Sequence, residues 1–209
     1  MINSRQIRQL VARTYNAISQ KYVSSYPFSQ YTQYVDRFLS KLKPNSRILD
    51  LGCGPGIVAK YITERGHKIV GIDISPAMLK MASKAAPSAK FRLESMQDVS
   101  FPKASFDGAV AIFSLLHVPS YELQPIVNKV RSFIKKDGYF LIAVVRGKGE
   151  HISPDPLIKG RSMFWRGFIR YEINEALMKA GFKILVIETN YSKNTFGIER
   201  QLWILCQAI

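Results

Sequence analysis

The segment SRILDLGCGPGIVAKYI, residues 46–62, decides the fold. Ile48, Leu49 and Leu51 make a short apolar run of strand length, and Pro44-Asn45 punctuates the chain just before it. The run ends in Gly52-Cys53-Gly54-Pro55-Gly56, after which Ile57, Val58, Tyr61 and Ile62 keep helical spacing. A strand thus enters a tight glycine turn and leaves it as a helix. Glycine permits backbone angles that other residues resist, and its missing side chain lets a ligand lie against the main chain at the carboxyl edge of the strand. Gly66 closes the helix, and HKIVGIDIS, residues 67–75, supplies a second strand ending at Asp73, so the unit is βαβ. An acid there accepts hydrogen bonds from both hydroxyls of a ribose. The turn and the acid together specify a nucleoside site.

The ligand is not expected to carry a pyrophosphate. A dinucleotide fingerprint, Gly-x-Gly-x-x-Gly, would place its third glycine at Ile57, whereas Gly56 comes one residue early. No Gly-Lys-Ser/Thr is present, which excludes the usual phosphate loop of an NTPase.

Working outward, Ile7, Leu10, Val11 and Ile18 keep helical spacing, and a second helix around Tyr34, Val35, Phe38, Leu39 and Leu42 follows a breaker region at Pro27. Beyond the βαβ unit, Ser75 is a cap and Pro76 a first-turn residue for a helix through Met78, Leu79 and Met81. AKFRL (89–93) reads as a third strand, FDGAVAIFSLL (106–116) as a fourth, Glu122 to Ile134 as a helix, and YFLIAVV (139–145) as a fifth strand. Such alternation implies a mostly parallel sheet with helices on both faces. Residues 146–170 break the rhythm: Gly147, Gly149, Pro154, Pro156, Gly160 and Gly167 make a long connection that still holds Met163, Phe164, Trp165 and Phe168. A last helix, Tyr171 to Ala180, precedes two runs, FKILVIETNY and RQLWILCQAI, with Lys193, Asn194 and Gly197 between them; these predict an antiparallel hairpin. The reading is a single domain over 1–209, divided into a helical cap (1–45), a core (46–145), a loop (146–170) and a final helix with hairpin (171–209).

Composition agrees with this. A chain of 209 residues, 47% hydrophobic and 22% charged, buries a core without disulfides or metal. Its apolar runs are far short of the roughly 18 residues needed to span a bilayer, and MINSRQIRQLVARTY lacks the apolar stretch of a secretory signal, so a cytosolic protein is expected. Cys53 and Cys206 are too few for a disulfide framework or a thiolate metal site. The net charge of +15 is unevenly spread, with eight Lys or Arg against Asp36 and Asp50 in residues 1–50, and six against Glu150 and Asp155 in 146–170. Such an excess attracts nucleic acid or acidic small molecules, and it also arises from selection for solubility.

At Asp50-Leu51-Gly52-Cys53-Gly54-Pro55-Gly56 and Gly71-x-Asp73-x-Ser75 the chain resembles the class I S-adenosylmethionine-dependent methyltransferases. The resemblance continues through SFDGAVAIFSLLHV (105–118), the KDGYFLIAV segment and the N-terminal TYNAISQKY, similar to the tyrosine-containing helix that many small members fold over the cofactor. It implies an α/β, Rossmann-like three-layer sandwich: a mostly parallel seven-stranded sheet with a C-terminal antiparallel hairpin, and N-terminal helices over the cofactor site. It also implies S-adenosyl-L-methionine as cofactor and S-adenosyl-L-homocysteine as product. Asp50, Gly52 and Gly54 would form the floor for the methionine amino and carboxylate groups, with Cys53 also among the cofactor-binding residues; Asp73 would hold the ribose, and Ile74 and Met78 would sandwich the adenine. Where the family often has Gly-Asp-Ala, this chain has Glu94-Ser95-Met96, so Ser95 would accept from the adenine amino group without charge assistance, or Glu94 would substitute. Phe113 stands where the fourth strand leads to the methionine side, and Tyr15 and Tyr22 would approach the cofactor from the cap, Tyr22 at its carboxylate; the competing reading is that Tyr15, Tyr22 and Tyr26 bury their rings and wet their hydroxyls on an amphipathic helix.

Methyl transfer from a sulfonium needs alignment and exclusion of water rather than a metal. His117, just past the fourth strand, is the best-placed base, with a packing role as the competing reading; His67 and His151 have less to recommend them. The substrate side is expected at loop 146–170, where Arg161, Phe164, Trp165, Arg166, Phe168 and Arg170 interleave. That pattern would stack on and neutralise a nucleic acid or an acidic small molecule, or it is a lid packed on the core with its arginines solvated; within the resemblance a small-molecule substrate is the leading expectation and tRNA or another RNA the second. An NAD-dependent oxidoreductase and a non-catalytic binding module are the alternatives. The sequence leaves the acceptor and the oligomeric state open.

Overall fold

A computed structural model describes residues 2–25, 28–194 and 197–209; Tyr26, Pro27 and the tip of the predicted C-terminal hairpin lie outside the described residues. Helix α1 (Ser4–Ser25) and helix α2 (Thr32–Leu39) precede the sheet. The glycine turn joins β1 (Arg47–Leu51) to α3 (Ile57–Thr63), which returns through β2 (Lys68–Asp73). Helix α4 (Pro76–Ala85) starts as its sequence dictates: Ser75 Oγ accepts from the Met78 N–H at 3.2 Å, and Pro76 occupies the first turn, where no N–H is needed. Next come β3 (Lys90–Leu93), β4 (Phe106–Ile112), α5 (Ser120–Phe133) and β5 (Ile134–Val145). Then follow β6 (Glu150–Pro154), β7 (Ser162–Arg166), α6 (Arg170–Lys179), β8 (Phe182–Asn194) and β9 (Gly197–Ala208).

Seven strands form one sheet in the order β3-β2-β1-β4-β5-β9-β8. The first five pair in parallel, and β9 runs antiparallel to both β5 and β8, as the hairpin reading requires. Alternate residues of each central strand feed opposite faces. Leu49, Ala109, Phe140, Ile142 and Ile204 pack with α5 and α6 residues such as Ile126, Phe133 and Leu177. Ile48, Val110, Leu141 and Trp203 pack with Val35 and Phe38 of α2 and Val58 and Ile62 of α3. The strands are therefore apolar on both sides, as a sheet covered by helices on both faces demands.

Two expectations need correction. Residues 146–170 are not an irregular loop: β6 and β7 form a separate two-stranded antiparallel sheet, from Glu150 opposite Arg166 to Pro154 opposite Ser162. The glycines and Pro156 that made this stretch look irregular sit outside the two strands, while Met163 and Phe164 pack on Ile7 and Val11 of α1. That contact lies more than 150 residues away in sequence, so no local pattern announces it. The fourth strand also stops earlier than read, at Ile112; Phe113 takes a positive φ of 53°, and Leu115–His117 form a short 3-10 turn.

Candidate functional site

The carboxyl ends of β1, β2 and β4 converge on a narrow slot of about 80 Å³ roofed by α1. Gly52 (φ +69°) is pressed against the end of β4: a Cβ there would stand 2.5 Å from Ser114 Cβ. Gly54 (φ +51°) faces the other way, with nothing within 4 Å of where its Cβ would be. One glycine packs the turn down and the other leaves bare main chain open to a ligand. The turn is held by Gly52 and Cys53 N–H groups that both donate to the Ile72 carbonyl at 2.9 Å, and by Ser114 Oγ, which donates to the Leu51 carbonyl at 2.6 Å. Asp73 ties the two halves together, accepting from Gly54 N–H at 2.9 Å and Ser75 N–H at 2.8 Å. Burial raises its pKa, and those backbone donors oppose the rise.

Of the residues expected at the site, Tyr15, Tyr22, Gly52, Gly54, Asp73, Ile74, Met78, Met96, Phe113 and His117 all line this slot. Asp50, Cys53 and Ser95 lie behind it. Asp50 is 2% exposed, and its Oδ2 is buried with no hydrogen-bond partner among the described residues. Burial, and secondarily the charge of Asp73, push its pKa to about 8. The Cys53 sulfur is turned towards Gly71, and burial pushes its thiol up. Ser95 is committed elsewhere: its hydroxyl donates to Asp98 Oδ2 at 2.7 Å and accepts from the Asp98 N–H at 3.1 Å. Glu94 instead lines the slot, with Oε1 accepting from Arg92 at 2.7 Å and Oε2 buried without a partner among the described residues. Acceptors Asp73 and Glu94, the apolar Ile74 and Met78, and the open Gly54 main chain together form a donor-and-acceptor set that fits an adenosine.

Helix α1 is fastened across the slot at several points. Asn16 Oδ1 accepts from Ser75 Oγ at 2.7 Å and from the Ala77 N–H at 3.1 Å, and Thr14 Oγ1 donates to the Ser162 carbonyl at 2.7 Å. Tyr15 Oη lies 2.7 Å from His117 Nε2, and His117 Nδ1 lies 2.8 Å from the Phe164 carbonyl. A carbonyl only accepts, so Nδ1 carries the proton and Nε2 receives the Tyr15 hydroxyl. Burial lowers the His117 pKa to about 4, so the ring is neutral at ordinary pH.

A second cavity, about 480 Å³, adjoins the slot and shares Tyr15, Tyr22 and Phe113 with it. Its other walls come from Tyr31, Leu116, Val145, Trp165 and the β6–β7 pair. Arg166, expected on the substrate side, is 3% exposed; it pairs with Glu172 and stands 3.8 Å from Glu150, its guanidinium 4.3 Å from the Phe168 ring centre. It lines the larger cavity, but its charge is taken up by these carboxylates. Arg161 and Arg170 are exposed. Sequence reasoning missed Arg8, Asn16, Gln97 and Ser114. Asn16 sits beside Tyr15 in the quoted motif, but its partner Ser75 is 59 residues away, so spacing gave no signal.

Comparison with known proteins agrees with this geometry. A family model described as a methyltransferase domain matches residues 48–138, the stretch from β1 to the start of β5. An uncharacterized methyltransferase of Synechocystis is 26% identical over 149 residues, covering 69% of this chain and 70% of the relative. A mouse 18S rRNA (guanine-N(7))-methyltransferase is 48% identical over 68 residues, which cover 32% of this chain and only 24% of that protein. Among solved structures, an S-adenosylmethionine-dependent methyltransferase of Methanosarcina mazei superposes with a TM-score of 0.75 at 22% identity, covering 88% of this chain and 98% of the other.

Proposed function

We propose, on the premise that this chain is a class I S-adenosylmethionine-dependent methyltransferase, that it methylates a small molecule seated in the larger cavity. One observation carries the proposal: the slot and the larger cavity meet at Tyr15, Tyr22 and Phe113, so a donor in one faces an acceptor in the other across three rings. Asp73 reads the ribose hydroxyls, Gly54 offers open main chain to the methionine part, and Ile74 and Met78 flank the adenine. Glu94 Oε2, buried without a partner among the described residues, takes the adenine amino group in place of Ser95. Asp50 and Cys53 support the turn from behind. When bound, S-adenosylmethionine supplies an electrophilic methyl group and departs as S-adenosylhomocysteine.

The slot is far smaller than the roughly 300 Å³ or more that drug-sized ligands occupy, so α1 lifts to admit the cofactor and reseats to exclude water. His117 acts through Tyr15. Its accepting nitrogen is covered by the Tyr15 hydroxyl, so a proton leaving the acceptor reaches it only by way of Tyr15 Oη. With its pKa at about 4, its main effect is to hold that hydroxyl in place. Both cysteines are buried thiols, in keeping with a reducing cytosolic setting.

A second reading, methylation of RNA, draws on the short match to an rRNA methyltransferase, but the burial of Arg166 removes one of the cations it would use. Calorimetry with S-adenosylmethionine, S-adenosylhomocysteine and NAD tests the cofactor assignment: the first two are expected to saturate the site and NAD to leave it untouched. Transfer of a labelled methyl group into a lysate then separates acceptors. Label in the small-molecule fraction supports the proposal, and label confined to RNA replaces it with the second reading.

A further inference from the structure

The larger cavity is walled by rings. Tyr15, Tyr22, Phe113 and Trp165, all half-buried, line it, with Tyr31 buried beneath them. These rings are already fixed against one another. Tyr15 meets Tyr22 edge-on at 5.5 Å, Trp165 lies 5.1 Å from the His117 ring, and Phe113 lies 5.3 Å from Tyr31. Polar groups stand at the margins: Lys148 and His151 are exposed, and Glu199 is half-buried. Arg166, deep in the wall, is neutralised by Glu172.

A rigid, aromatic wall with polar groups at its rim selects for a flat π-system, because stacked and edge-to-face contacts add to what area burial alone gives. A volume of about 480 Å³ lies within the range of sites for drug-sized molecules. Ring faces also attract ammonium groups; at the margin Lys148 opposes a cation and Glu199 favours one, so an amine probe decides between the two. We infer that the acceptor is a planar aromatic small molecule, bounded by Tyr22, Phe113 and Trp165, with its methyl-receiving atom towards the slot. The inference rests on the reading of that slot as the cofactor site.

The test titrates the full chain, saturated with S-adenosylhomocysteine, with four probes by calorimetry: 1-naphthol, quinolin-8-ol, decahydro-1-naphthol and cyclohexylmethylamine. The two aromatic probes are expected to bind at least about fivefold more tightly than the saturated alcohol. Trp165→Ala removes one ring, and Val145→Trp fills the cavity from the end of β5. Each is expected to weaken aromatic binding about fivefold or more while the S-adenosylhomocysteine affinity, which also reports folding, stays unchanged. The inference is overturned if neither aromatic probe binds, if the saturated alcohol or the amine binds as tightly, or if both variants leave aromatic binding intact. Absence of S-adenosylhomocysteine binding to the wild type is a different result: it removes the cofactor assignment, and this inference with it.

Discussion

Replacing Asp50 by asparagine is expected to abolish a pH dependence of stability that the wild type carries. The carboxyl is 2% exposed behind the glycine turn, Oδ2 has no partner among the described residues, and its pKa is raised from the usual 3.8 to about 8. A carboxyl whose folded pKa lies above its unfolded one keeps its proton in the native state after the unfolded chain has lost it. Stability from this group is therefore fully present below pH 3.8, falls as pH rises, and levels off above about 8. At about 1.4 kcal/mol per pH unit the whole fall amounts to about 6 kcal/mol, an upper figure because water entering the turn relieves it. Asparagine keeps the shape and cannot ionise. The assay is urea unfolding of wild type and Asp50→Asn at pH 5, 7 and 9, without cofactor. The variant is expected to gain on the wild type as pH rises, by several kcal/mol between pH 5 and pH 9. A difference between the two that does not change with pH would refute the reasoning, since it would mean that Asp50 ionises as an ordinary surface carboxylate.

Four further outcomes follow from the geometry. Gly52→Ala places a Cβ 2.5 Å from Ser114 Cβ at a φ of +69° and is expected to cost about 3 kcal/mol in denaturant unfolding; a loss under about 1 kcal/mol would show that the turn can shift. Arg166→Ala removes a buried guanidinium from the half-buried Glu172 and is expected to destabilise by about 1–3 kcal/mol while leaving any affinity for RNA at low salt unaltered; weaker RNA binding by the folded variant would return Arg166 to a substrate role. Tyr15→Phe and His117→Gln are expected to slow turnover by similar factors, and the double variant no further than either, because they share one hydrogen bond; additive losses would assign them separate roles. Wild-type turnover is also expected to lack an inflection near pH 6.5 that vanishes in His117→Gln, since burial holds His117 at about 4.

The chain order of apolar runs determined much of this protein. Alternation of strand and helix fixed a parallel sheet, the apolar run from Leu202 to Cys206 with no helix between it and the preceding run pointed to the antiparallel end, and the glycines around Cys53 with Asp73 one strand later marked the candidate site. Ser75-Pro76 announced its own helix start because capping acts within one turn. These features are local, and local chemistry is written in adjacent residues. Tertiary packing decided the rest. Residues 150–166 became a hairpin because Met163 and Phe164 found Ile7 and Val11. Ser95 gave way to Glu94 at the slot because Asp98 holds its hydroxyl, and His117 became the anchor of Tyr15 because Phe164 folds against it. Partners separated by as many as 170 residues meet only when the sheet closes, and no spacing in the sequence records which polar atom will be left without one.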